Sequence, residues 1–178
     1  MLRKRNDLEI VELLRKEPKH IRQMGQELEI IPSTVMRTMK LLEQENIVDF
    51  KRQGKNKVYS LKTTPEAKAC LLMTEQYKLM KILQNPELRR VIKELQEKNS
   101  GKLMVLFGSY AKGTQNKNSD IDIYIETDDR TIKENLKVIS EKLSIKIGKL
   151  DKENPLTKEI IKNHVIIQNA ERFYEAIR

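Results

Sequence analysis

The stretch Leu103-Met104-Val105-Leu106-Phe107-Gly108-Ser109-Tyr110-Ala111-Lys112-Gly113-Thr114, followed by Ser119-Asp120-Ile121-Asp122-Ile123-Tyr124-Ile125, decides how this chain is read. An apolar run ends in Gly-Ser, a second glycine follows four residues after the serine, and ten residues separate Ser109 from Asp120. Leu103 to Phe107 reads as one buried strand and Ile121 to Ile125 as a second. Gly108 lets the backbone approach a phosphate closely, and Ser109 adds an amide and a hydroxyl at an expected helix start. Asp120 and Asp122 sit two apart, so on a strand both carboxylates leave the same face. Such a pair suits Mg²⁺, which takes oxygen ligands and bridges to phosphates. Two such ions about 3.5–4 Å apart can hold the attacking and leaving oxygens of an in-line displacement.

Strand, Gly-Ser, ten residues, Asp-x-Asp, strand resembles the minimal nucleotidyltransferase branch of the DNA-polymerase-β-like superfamily. The match is close over residues 102–126 and loose over 86–178. The resemblance implies transfer of a nucleoside monophosphate from an NTP to a hydroxyl, with release of pyrophosphate. By position, Gly108 and Ser109 would hold the triphosphate, and Asp120 and Asp122 would bind Mg²⁺ and serve catalysis. One departure stands out. The family's third carboxylate belongs on the next strand, which here reads Leu143-Ser144-Ile145-Lys146-Ile147, with Ser and Lys where an acid is expected. Glu126, Asp128 and Asp151 are the nearby acids. Lys146 either supplies charge beside the two carboxylates, leaving a dead site, or points away with Ser144 inward.

Outward from this centre, the pattern is α/β. Thr131 to Leu143 reads as a helix, Ser144 to Ile147 as a third strand, and the end as helical again. Upstream, apolar residues from Ala67 to Leu95 recur at three- and four-residue steps, predicting a helical connection over residues 65–98 broken at Asn85-Pro86.

The first 64 residues are different. They hold 14 Lys/Arg against 9 Asp/Glu, a denser positive charge than the remainder. Leu8, Val11, Leu13 and Leu14 give one helix, ended by Pro18, and His20 to Leu28 a second. Pro32-Ser33-Thr34 opens a third, with Val35, Met36, Met39, Leu41 and Leu42 supplying its apolar face. Ile47–Lys51 and Lys57–Leu61 read as strands around the loop Arg52-Gln53-Gly54-Lys55-Asn56. Helix, helix-turn-helix, then a basic hairpin resembles the winged helix-turn-helix over residues 1–62.

The fold class expected is therefore a two-domain α+β protein. A winged helix-turn-helix occupies 1–64, a helical linker 65–98, and a nucleotidyltransferase-type mixed α/β sheet 99–178. A helix of the third helix's size fits the major groove of double-stranded DNA. With Val35, Met36, Met39 and Leu42 turned inward, Ser33, Thr34, Arg37 and Lys40 would point outward as the DNA-binding residues of this helix. Phe50 to Lys62 carries five basic residues and no acid, placing Arg52, Lys55 and Lys57 along a phosphate backbone.

Whole-chain composition agrees. Among 178 residues, 35 Lys/Arg against 26 Asp/Glu give +9, which makes polyanions the first partners to consider. One cysteine, Cys70, excludes an intramolecular disulfide framework and fits a reducing compartment, so a cytoplasmic setting is expected. No apolar run approaches a membrane span. Cys70 and His164 are expected to be structural, and Lys112 to be either solvated or within reach of a phosphate. The expected partners are duplex DNA, an NTP, an acceptor for which a protein is one candidate, and a second copy of the chain in a homodimer. The rival expectation is a transcription regulator whose C-terminal domain is catalytically inactive and serves effector binding or assembly.

Overall fold

The computed structural model describes residues 2–177 and divides into two compact units, with the boundary between Tyr77 and Lys78. In the first unit α1 (Asn6–Lys16) buries Leu8, Ile10, Val11 and Leu14. A short strand β1 (Lys19–His20) runs into α2 (Ile21–Leu28), where His20 and Gln23 exchange hydrogen bonds in a capping box. Helix α3 (Pro32–Gln44) starts with proline, whose missing N–H costs nothing in a first turn. Gly25 allows the turn between these two helices, because a Cβ there would lie 2.8 Å from the Ile30 carbonyl oxygen. Strands β2 (Val48–Gln53) and β3 (Asn56–Leu61) form a hairpin closed by Gly54-Lys55, tighter than the five-residue loop expected. With β1 added on the far side of β3, the sheet is antiparallel in the order β1-β3-β2. This is the winged helix-turn-helix arrangement. Helix α4 (Pro65–Ile82) begins in this unit, where Ala67 and Cys70 join the core of Val35, Met39, Leu42, Ile47 and Tyr59.

Two expectations for α3 are overturned. Val35, Met39 and Leu42 are buried, but Met36 is 58% and Leu41 53% exposed. Three residues at steps of four and three already fill the stripe that α3 turns to the core, and no room remains for five.

The second unit contains α5 (Pro86–Lys98), started by Asn85, whose side chain accepts from the amides of Glu87 and Leu88. There follow β4 (Met104–Phe107), α6 (Gly108–Lys112), β5 (Ile121–Glu126), α7 (Ile132–Lys137) and β6 (Leu143–Gly148). The chain continues through α8 (Pro155–Lys162), β7 (Val165–Gln168) and α9 (Ala170–Ala176). The sheet runs β6-β5-β4-β7 and is mixed: β5 and β6 are parallel, while β4 is antiparallel to both its neighbours. Met104, Leu106, Ile121, Ile123, Ile125, Leu143 and Ile145 form one side of it, in a common core with Leu88, Val91, Ile92 and Leu95 of α5. By strand alternation the opposite side carries Val105, Phe107, Asp122, Tyr124, Ser144 and Lys146.

Here too the structure corrects the sequence. The helix expected over 131–143 stops at Lys137, which frees Leu143 to pair opposite Ile121. The end of the chain is not wholly helical, because Val165–Gln168 forms the edge strand beside β4.

Candidate active site

The site begins where β4 runs out. Phe107 is extended and pairs opposite Asp122; the next residue, Gly108, turns to φ +69° and starts α6. A Cβ on Gly108 would collide with Asp122 Oδ2 and lie 3.1 Å from its Cγ. Glycine is thus needed twice, for the left-handed backbone and for the room the carboxylate occupies. The Gly-Ser turn and the Asp-x-Asp strand, separated by ten residues in sequence, meet here. Gly113, also left-handed, ends α6, and the Thr114 amide donates to the Ser109 carbonyl. The Asn116 amide donates to Ser119 Oγ, ordering the loop that delivers Asp120.

Asp120 is exposed at the mouth of β5, and Asp122 is half-buried on the same side. Burial raises the Asp122 carboxyl above the usual carboxylate range. The Ser144 hydroxyl opposes this by donating to it, the Asp120 charge adds to the rise, Lys146 opposes, and Glu159 of α8 adds again. Ser144 lies directly opposite Asp122 in the β5–β6 register, so a hydroxyl stands next to the carboxylate on the strand where a third acid was expected. Lys146 stands on the same side, exposed and opposite Tyr124. The other nearby acids are engaged differently. Glu126 pairs with Arg172 at 2.9 and 3.2 Å, and Asp151 accepts from the Glu153 amide. Asp128 is exposed. Among the described residues no group of three or more His, Cys, Asp or Glu is assembled for a metal ion.

The donor set nonetheless fits one Mg²⁺. Two carboxylates leave one side of a strand, beside a turn kept open by a missing Cβ, and hard oxygen donors are what this cation takes. Lys112 reaches Glu159, with Nζ 2.8 Å from Oε1. The sequence reading missed this pair and the charge that Glu159 brings to Asp122; 47 positions separate the partners, and no local spacing announces them.

The remaining candidates divide. His164 is buried, its Nδ1 donating to the Ile160 carbonyl at 2.7 Å and its ring against Phe173. The Cys70 thiol is pushed up to about 11 by burial, which leaves it protonated at neutral pH and unreactive. In the first unit Ser33, Arg37 and Lys40 are exposed on α3, Thr34 is half-buried, and Arg52 and Lys55 are exposed on the hairpin. Lys57 is drawn inward, with Nζ 3.5 Å from the centre of the Phe50 ring.

Comparison with known proteins adds the following. A family described as Nucleotidyltransferase domain matches residues 88–174. A protein of Methanocaldococcus jannaschii, named as a candidate protein adenylyltransferase, is 39% identical over 88 residues, covering 44% of this chain and 88% of that protein. Among solved structures, the adhesin competence repressor of Streptococcus pyogenes overlaps 55% of this chain and 68% of its own, at 17% identity and a TM-score of 0.39. A Lactococcus lactis ZitR complex with DNA overlaps 55% and 73%, at 18% identity and a TM-score of 0.33. The winged-helix fold of the N-terminal unit stands on its element order and sheet topology. No described helix is long and apolar enough to cross a membrane. For the C-terminal unit, motif, strand register and the extent of the archaeal match agree: the chain belongs to the nucleotidyltransferase domain family.

Proposed function

We propose that the C-terminal unit transfers a nucleoside monophosphate from an NTP to a hydroxyl, with AMP as the transferred group and a protein as the acceptor. The carrying observation is the contact between Gly108 and Asp122, which puts a phosphate-cradling turn against a cation-binding carboxylate. The named activity of the archaeal relative supports AMP and a protein acceptor.

In this reading the amides of Gly108 and Ser109 and the Ser109 hydroxyl receive the triphosphate. Asp120 and Asp122 would hold Mg²⁺, which when bound supplies positive charge to the phosphates. The acceptor oxygen forms a bond to the α-phosphorus as the bond to the bridging oxygen breaks, and pyrophosphate leaves. The acceptor proton passes to water as the new bond forms, since both carboxylates of the site would be engaged with the cation. Lys112 is within one turn of Ser109 and can exchange Glu159 for a phosphate oxygen.

The N-terminal unit is a duplex-DNA module in this proposal, supported by the exposed basic residues of α3 and the hairpin. A second reading, in which the C-terminal unit binds nucleotide without turnover, is favoured by Ser144 standing where an acid was expected.

Calorimetric titration with Mg²⁺ and each NTP tests both, with Asp120→Ala/Asp122→Ala as control. Metal-dependent binding of ATP, abolished in the double variant, is expected. Incubation with α-labelled ATP and candidate proteins then separates transfer, seen as labelled protein, from binding alone. No heat at millimolar nucleotide sinks both readings of the C-terminal unit.

A further inference from the structure

The residue of α3 that defied the expected pattern carries a consequence of its own. Met36 is 58% exposed, about 100° around the helix from Val35, at the edge of the stripe that Val35, Met39 and Leu42 bury. One turn before it stands Ser33, beside it Arg37, and one turn after it Lys40, all exposed. From Pro32 to Leu42 the helix carries no acid. Ile31, the N-cap residue, is 67% exposed and extends the same end of the helix with apolar surface. Leu41 is also exposed, but it projects about 140° around the helix from Met36. It lines a separate cavity of about 460 Å³ with Arg3, Lys4 and Thr38. Met36 is thus an apolar side chain held out among cations, with no apolar partner required by the fold.

A solvated helix face gains nothing from a thioether there. A polyanion that also offers an apolar group does, and duplex DNA offers one in its major groove, the C5-methyl of thymine. Arg37 and Lys40 flank Met36 on the helix, and Arg52 and Lys55 stand exposed on the hairpin, giving the charge complement to phosphates. We propose that Met36 is a specificity-determining residue that reads a thymine methyl, with α3 entering the major groove by its N-terminal turns. The inference rests on the DNA reading of the N-terminal unit and adds to it a base preference and the side chain that sets it.

The test begins with a duplex selected by the wild-type chain from a random-sequence pool. It is resynthesised with deoxyuridine replacing thymidine one position at a time, which removes only the methyl. At the contacted position the wild type is expected to bind about fourfold more weakly, the worth of one buried methyl. Met36→Ala is expected to bind the thymidine and deoxyuridine duplexes equally while keeping the wild-type salt dependence, since it gives up no phosphate contact. Met36→Gln, which keeps length and can pair with adenine, is expected to move the preference to adenine at that position; it stands in if the alanine variant melts early. Wild-type indifference to deoxyuridine at every position overturns the proposal, as does an unchanged preference in Met36→Ala. Failure to shift any duplex at low salt overturns the DNA reading itself, a result distinguishable from the other two.

Discussion

Both units present charge, but they hold it differently. In the N-terminal unit the basic groups of α3 and the hairpin stand in solvent, each on a side chain with many rotamers, and the buried core merely decides which of them face out. In the C-terminal unit the acid pair is placed by the backbone: Phe107 opposite Asp122, Gly108 turned against the carboxylate, Ser144 directly opposite it on the next strand. A surface of the first kind loses function by increments. A site of the second kind loses it at one atom.

The sharpest way to break this contrast is to add a methyl group to one glycine in each unit. Gly108→Ala must displace the Asp122 carboxylate, and a misplacement of this size costs about a hundredfold in function. Nucleotide binding by calorimetry should fall by that order, with about 1–3 kcal/mol lost in thermal unfolding. Gly54→Ala at the hairpin, with φ +59° and open space around it, should cost only the left-handed conformation, about 1 kcal/mol, and leave nucleotide binding intact.

A second probe concerns Asp122 itself. Its raised carboxyl means that the folded chain holds this proton more tightly than the unfolded one, so stability falls as pH rises through that window. Asp122→Asn should therefore unfold at a higher temperature than wild type at neutral pH and lose that advantage below the usual carboxylate range. Ser144→Ala removes the hydroxyl that favours the charged carboxylate, so the pH at which Mg²⁺-dependent nucleotide binding appears should move upward.

On the other unit, Arg37→Ala or Lys40→Ala should weaken duplex binding about tenfold each and lower the salt slope by about one for each lost phosphate contact. The effect should add across the two, as increments do at a surface without backbone constraint. Smallest is Phe50→Leu, which keeps an apolar body while removing the ring under Lys57. A loss of about 0.5–1 kcal/mol in chemical denaturation is expected.

The same contrast explains what could be read from the chain alone. The strands around Gly-Ser and Asp-x-Asp were legible because a buried sheet demands apolar runs and the turn demands glycine. The partner of Asp122 was legible only in part. Ser144 and Lys146, two apart on β6, share one side whatever the phase, and only the parallel register with β5 shows that Ser144 is the one opposite Asp122. Val165–Gln168 carries three β-branched residues, a strand signal, but was missed because the run is only four long and closely follows a helix; pairing with β4 decides. Met36 was misplaced because five apolar residues on α3 suggest a wide buried stripe. The packing uses only three of them.

The order of strands has a consequence for synthesis. All three strands of the winged-helix sheet lie before residue 65, so that sheet can close as soon as its residues leave the ribosome. The other sheet waits. Its central strand β4 is flanked by β7, and Val105 finds its edge partner only at Ile166, some sixty residues later. At about 5–20 residues per second, β4 spends several seconds with one edge open to any other strand nearby. The winged-helix sheet is thus closed while the nucleotidyltransferase sheet is still being assembled, so a nascent chain is exposed to misassembly in its C-terminal unit.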